Sequence, residues 1–408
     1  MKVVVFLNSY EHFNPKAKAK YHSSSASFIA SEIYTALISD EDIALYYFDV
    51  RKVQDWRSIK ADYLVTIIDN LQLAVWYFRP TTTVLIAVNK HPLTRLKLLG
   101  TAFKYRIPQK ALSGSDGIYE AFLPMRFVNY IILIGNTYTL ESYNRYFKEI
   151  NILEAYYDSA NFGSQLLQEE KFEMPERNSI LVSMSSIGFR KNYQIIHQVM
   201  KRVENQNYHF YLLGAPASSY WDNLIQKDKA KQNFTYLGFI EGLNKDSISL
   251  MNILPRIKIA LFPSLEEGLP GSMLDLINFG IICVHNRKNS GIDNSLEILE
   301  SDFRSINETQ SKIDYLMQLD NDSYSAVQKI QREELKEMFS TKLTFSQAIK
   351  KILEIKDVDN RNTKVNNRNI ITDLIIVPFI RYPIVLLKRI YRNSIIVLKN
   401  KWALKKRL

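Results

Sequence analysis

The chain has one cysteine, Cys283, among 408 residues, which excludes a disulfide framework and any cysteine-rich metal site. Its six histidines, at 12, 22, 91, 197, 209 and 285, are scattered without ligand spacing, so no metal is expected. Nowhere do about 18 apolar residues run uninterrupted, so no spanning helix is indicated. The opening apolar run, Val3 to Leu7, is too short for a signal peptide and reads as a first buried strand. A cytosolic protein is the expectation from these absences together.

What is present describes a folded chain: hydrophobic residues make up 46% and charged residues 23%. Its length suits two domains of ordinary size. The net charge of +11 belongs almost wholly to one end. Residues 361–408 hold twelve Lys or Arg against one acid, Asp373, whereas the preceding 360 residues balance at 41 basic and 41 acidic.

The first 150 residues alternate strand-like and helix-like segments. Val3–Leu7, Ile43–Phe48, Tyr63–Ile68, Thr83–Val88 and Tyr130–Ile134 read as buried strands. Ser23-Ser24-Ser25 is placed to cap a helix over about 26–38. A polar stretch near 158–178, with Gly163 and Pro175, reads as a linker. The alternation then restarts with strands at Ile180–Met184, His209–Leu213, Phe234–Leu237, Ile257–Phe262 and Ile281–Val284. Helices are predicted over about 193–205, 218–231, 245–253 and 272–280, then 308–319, 323–338 and 343–356. This pattern predicts an α/β protein of two parallel-sheet halves facing a cleft. The expected division is a domain over 1–165, a second over 166–357 with its closing helices, and a basic tail over 358–408.

The most informative stretch runs from Pro263 to Asp275, through Glu267-Gly268-Leu269-Pro270-Gly271-Ser272. A buried strand ends there, a Gly/Pro turn follows, and a helix begins. Glu267 and Asp275 bracket the turn, facing the crevice where open α/β sheets bind ligands. Backbone N–H groups of Leu269 to Ser272 at a helix start suit a phosphate. The two carboxylates, as pure acceptors, suit sugar or ribose hydroxyls.

In its Pro263-Ser264-x-x-Glu267-Gly268 run, ending at Phe279-Gly280-Ile281-Ile282-Cys283, the sequence resembles the GT-B glycosyltransferases, in particular the large retaining group 1, or family 4-like, set marked by Glu-x7-Glu. Lys191-Asn192, Tyr211-Leu212-Leu213-Gly214 and Tyr236-Leu237-Gly238-Phe239-Ile240 are similar to further strand ends of that group. The resemblance implies the GT-B architecture, two Rossmann-like domains, with a nucleotide-sugar donor on the second and the acceptor on the first. Glu267 and His91 would then be the catalytic residues, Glu267 holding donor-sugar hydroxyls and His91 facing the reaction centre. Lys191 would neutralise the diphosphate, and Gly268, Leu269, Pro270, Gly271 and Ser272 would sit by sugar and phosphate. Asp275 would hold the ribose, and backbone near Gly214 and Phe239 would frame the nucleobase. No cofactor beyond the co-substrate is implied. The chain departs from the group in three places. Asp275 is one methylene shorter than the usual Glu, Ser186 stands where an arginine is usual, and no glycine precedes Gly100.

Other charged features read more plainly. Arg190, beside Lys191 but out of register with the missing arginine, is expected to be a surface charge. His197 and His285 are expected to be packing or surface residues. Asp40-Glu41-Asp42 has the Asp-x-Asp form of a metal site but reads as an acidic turn, and Asp320-Asn321-Asp322 as an interhelix loop. In the tail, Ile384, Leu387, Tyr391, Ile395, Leu398 and Trp402 form one helical stripe flanked on one side by Lys388, Arg389, Arg392, Lys399 and Lys406. Such an amphipathic basic helix fits an anionic membrane surface, which places the protein peripherally on the inner face of the cell membrane. A nucleic-acid partner is not expected. The functional expectation is sugar transfer to a lipid-linked or membrane-held acceptor in bacterial surface polysaccharide or glycolipid synthesis. The alternative is a non-catalytic GT-B subunit that positions a partner enzyme.

Overall fold

The computed structural model describes residues 1–10, 13–15, 25–67, 70–88, 107, 127–148, 150–156, 178–203, 207–240, 252–265, 267–286, 292–293, 295–355 and 364–365. The segments carrying His91, the linker, the 245–251 part of a predicted helix and the basic stripe of the tail lie outside them.

The first half forms β1 (Lys2–Asn8), α1 (Ser25–Ile38), β2 (Ile43–Asp49), β3 (Tyr63–Thr66), α2 (Leu71–Phe78), β4 (Thr82–Ala87), β5 (Tyr130–Leu133), α3 (Thr137–Asn144), β6 (Phe147–Lys148) and β7 (Asn151–Tyr156). The second forms β8 (Ser179–Ile187), α4 (Tyr193–Arg202), β9 (His209–Pro216), α5 (Ser219–Lys229), β10 (Phe234–Gly238), β11 (Ile257–Phe262), α6 (Gly271–Asn278), β12 (Ile282–Asn286), β13 (Glu300–Ser301), α7 (Ile306–Gln318) and α8 (Asn321–Thr341). The predicted strands are all present. Helices α2 and α3 and strand β7 were not read from the sequence.

The two large sheets are parallel, and a short antiparallel pairing joins β6 to Lys364–Val365. The first runs β2-β1-β3-β4-β5-β7-β14, where β14 is Leu343–Thr344, and the second runs β10-β9-β8-β11-β12-β13. Helices cover the faces, which is why strands such as β4 and β11 are buried along their whole length and read as near-continuous apolar runs. The exception within β11 is Lys258, whose ammonium donates to the Met317 and Leu319 carbonyls at 2.8 Å each. A cation at the carbonyl end of α7 is favourable on electrostatic grounds. In the second sheet the order reverses between β8 and β11, and that reversal opens a crevice at their carboxyl ends.

Residues 343–354 do not stay with the second half, where the sequence reading placed them. β14 pairs with β7 in the first sheet, and α9 (Phe345–Glu354) follows it. Thr344 and Gln347 close a capping box at the start of α9. Its apolar stripe, Phe345, Ala348, Ile349, Ile352 and Leu353, is buried in one cluster with Ile29, Ile33 and Leu37 of α1. The stripe finds its cover on the first sheet, so burial of that face draws the helix across. Lys342, at the crossing, donates to the Gly135 carbonyl at 2.8 Å and pairs with Glu154 at 3.0 Å. A second tie joins Asp293 to the first turn of α3, accepting from the Thr137 N–H at 3.0 Å and its hydroxyl at 2.9 Å.

Candidate active site

The crevice between β8 and β11 is built by two loops that hold each other. The loop after β8 carries Arg190, Lys191 and Asn192, and Asn192 takes a left-handed conformation (φ 62°) as α4 begins. The Asn192 side-chain amide donates to the Phe303 carbonyl at 2.8 Å. The loop after β11 answers with the Leu265 N–H, which donates to the Arg190 carbonyl at 2.8 Å. Two rigid parallel strands therefore deliver Lys191 and Glu267 to one point.

Glu267 is the centre of that point. Its Oε2 forms an ion pair with Lys191, accepts from the Ser264 hydroxyl at 2.9 Å, and lies 3.8 Å from the Arg190 guanidinium. Burial alone would raise its carboxyl, but the charges of Lys191 and Arg190 and the hydrogen bonds from Lys191 and Ser264 prevail and hold it at about 2. Lys191 is itself buried, and desolvation together with the Arg190 charge lowers its pKa against the opposing pull of Glu267. Arg190 thus belongs to the site, against the expectation of a surface charge. Its neighbour's carboxylate reaches it because both loops converge, a proximity no local spacing encodes.

Gly268, the next residue, touches the other half of the molecule. A Cβ here would fall well inside contact distance of the Val88 carbonyl oxygen, and 3.0 Å from that of Ile134. Those carbonyls end β4 and β5, so the Glu267 turn packs against the carboxyl edge of the first sheet. His91, expected in this neighbourhood, follows β4 outside the described residues.

Beyond the turn, α6 begins at Gly271 with no side-chain cap from Pro270. Its Ser272 hydroxyl meets that of Ser183, midway along β8, at 3.2 Å. Ser183 was not read from the sequence, since one of four serines in β8 carries no signal of its own. Asp275, one turn into α6, has an Oδ1 that is buried without a hydrogen-bond partner among the described residues. Desolvation pushes its carboxyl up to about 7. At the flank of the crevice, Gly214 has φ 138°, and a Cβ there would collide with the Met184 carbonyl. That close approach of β9 to β8 requires glycine. Phe239, just past β10, is 59% exposed.

The remaining polar features have structural places. His197 Nδ1 lies 2.8 Å from the buried Asp228 carboxylate, which also accepts from Tyr193 at 2.7 Å, tying α4 to α5. His285 is buried in β12. Asp40 accepts from the Asp42 N–H at 3.0 Å in an exposed turn, and Asp320 caps α8. Among the described residues no three His, Cys, Asp or Glu side chains converge as a metal site, and no helix is long and apolar enough to cross a membrane.

Comparison with known proteins agrees with this architecture. Residues 164–333 match the family model for glycosyl transferases group 1. No curated protein sequence matches the chain. Among solved structures, an E. coli trehalose-6-phosphate protein bound with UDP-2-fluoro glucose superposes with a TM-score of 0.55 at 8% identity, covering 89% of this chain and 100% of that one. Sucrose-phosphate synthase from Thermosynechococcus elongatus gives 0.53 at 11% identity, covering 86% and 98%. A Staphylococcus aureus TarM mutant in complex with UDP gives 0.46 at 14% identity, and the present chain spans 55% of its length. Residues 164–333 thus resemble the group 1 glycosyl transferases in sequence, and the chain shares the two-sheet α/β fold of these solved structures.

Proposed function

We propose that this chain transfers a sugar, with retention and without a metal, from a nucleotide-sugar donor to a hydroxyl of a lipid-linked or membrane-held acceptor. The observation that carries the reading is the meeting of Lys191, Arg190 and Glu267 at the strand-order reversal, beside the uncapped start of α6. Two cations and a helix N-terminus suit a diphosphate, whose charge grows as the glycosidic bond breaks. Glu267, held ionised, accepts from donor-sugar hydroxyls, and Asp275 offers its unpartnered oxygen to the ribose. Gly214 and Phe239 frame the base. The leaving diphosphate accepts the proton of the attacking hydroxyl, and His91 is the residue of the first domain that the family resemblance assigns to the reaction centre. UDP-2-fluoro glucose bound to the E. coli protein of similar fold supports a nucleotide-sugar donor.

The basic tail, residues 361–408, holds the enzyme on the anionic inner face of the cell membrane, close to lipid-linked acceptors of surface polysaccharide or glycolipid synthesis. A thermal-shift screen of the full chain against UDP-, GDP-, dTDP- and CMP-linked sugars tests the donor site. One donor class is expected to raise the melting temperature. Stabilisation by none of them would overturn the enzyme reading and leave the non-catalytic subunit. Sedimentation with anionic liposomes, lost on removing 361–408, tests the tail.

A further inference from the structure

We propose that Glu267 competes with the donor diphosphate for Lys191 and Arg190, and thereby weakens the hold on the nucleoside diphosphate product. The inference rests on the donor-site reading above and adds to it a second task for Glu267 and a place in the anion subsite for Arg190. Three observations carry it. The Glu267 carboxylate is paired with Lys191 and lies 3.8 Å from Arg190 through the same oxygen, Oε2. Lys191 is 6% exposed, so its ammonium has little water to turn to and needs an anion within the crevice. Arg190 keeps a third of its side chain exposed, which lets its guanidinium reach a ligand at the mouth of the crevice while Lys191 serves the interior.

Both cations thus share one oxygen of the Glu267 carboxylate. A diphosphate, with more charge than one carboxylate, draws both cations toward itself, and Glu267 is released toward the sugar hydroxyls. Once the sugar has left, Glu267 has no hydroxyls to accept from, and its carboxylate returns to Lys191 and Arg190. The same exchange that turns Glu267 toward the sugar then loosens the product. Ser264, donating to Oε2 at 2.9 Å, keeps the carboxylate within reach of both positions.

Calorimetric titration of the full chain with UDP, GDP, dTDP and CMP finds the nucleotide that binds and then compares variants. With Glu267→Gln, which keeps the shape and removes the charge, that nucleotide is expected to bind about tenfold more tightly, as both cations turn wholly to it. Arg190→Gln is expected to bind it about tenfold more weakly, with a shallower dependence on salt. A residue that merely supported the fold would weaken binding when changed, so the gain with Glu267→Gln is the discriminating sign. Equal or weaker nucleotide binding by Glu267→Gln, with the wild type binding normally, overturns the competition alone. Binding of no nucleotide by the wild type overturns the donor-site reading and the competition with it. Should Glu267→Gln fail to fold, Glu267→Asp decides, its carboxylate standing one methylene farther from both cations: tighter nucleotide binding upholds the competition, and equal or weaker binding overturns it.

Discussion

The Glu267 end and the Asp275 end of one turn hold the same chemical group in opposite electrostatic surroundings. Both carboxyls lose water on folding, and burial pushes both toward the neutral form. At Glu267 two cations and two hydrogen bonds reverse that push, and the group sits at about 2. At Asp275 one oxygen is left without a partner among the described residues, desolvation prevails, and the group rises to about 7. The difference teaches that position within a motif does not set the charge of an acid. What sets it is the company brought by other strands. Glu267 is ionised before any ligand arrives, whereas Asp275 has an acceptor to offer and gains most from a hydroxyl donor.

The contrast is broken most severely at Glu267. Glu267→Ala is expected to lower sugar transfer by at least about 100-fold, read in a donor-turnover assay. It also leaves Lys191 buried without its anion, at a cost of about 3 kcal/mol in chemical denaturation. Because the folded carboxyl lies below its ordinary 4.5, the pairing stabilises the fold above that pH and is lost as pH falls toward 2. An acid-unfolding profile of Glu267→Ala that matches the wild type would rule this pairing out as a stabilising one.

Next in size is Gly268→Ala, which tests whether the turn must touch the first sheet. The added methyl meets backbone oxygens of Val88 and Ile134, which have no flexible side chain to yield. Turnover is expected to fall about tenfold or more with a smaller loss of donor affinity, since the added methyl strains the contact with the first sheet and leaves the proposed phosphate-binding cations in place. Equal losses in both would place the effect in donor binding instead.

The smallest effect is expected at Asp275. Its folded pKa of about 7 stands above the ordinary 3.8, so the fold favours the neutral form. The resulting penalty is absent below 3.8, builds between the two values and is complete above about 7. Asp275→Asn is therefore expected to raise the melting temperature by a few degrees at pH 8 and to leave it unchanged near pH 3.8. Wild-type donor affinity is expected to fall about threefold from pH 8 to pH 6, as protonation removes an acceptor, and to be flat in Asp275→Asn. A pH-dependent donor affinity surviving in Asp275→Asn would assign the titration elsewhere.

Much of the fold was legible because burial on both sheet faces forces continuous apolar strands. Ile257–Phe262 was bounded correctly from that alone. Helix α2 was missed: it is apolar on most sides, and its eight residues, Leu71–Phe78, show no clear stripe. The closing helix α9 was seen as a helix but assigned to the wrong sheet, because an apolar stripe names no partner. In the site, Glu267 and Gly268 stood out in the sequence through strand–turn–helix order, and Lys191 through the family resemblance. Arg190 and Ser183 did not, since each acquires meaning only through a residue more than 70 positions away: Glu267 for one, Ser272 for the other.

By itself the sequence determined that two α/β halves exist, that a Gly/Pro turn joins strand to helix at 263–271, and that an acid stands at each end of it. Those features follow from local periodicity and backbone freedom, which neighbouring residues carry. Only the tertiary structure decided that Lys191 and Arg190 converge on Glu267, that one Asp275 oxygen is buried without a partner among the described residues, and that Gly268 lies against the first sheet. Coulomb attraction and desolvation depend on distance through space, and the chain order leaves that distance open until the strands have paired.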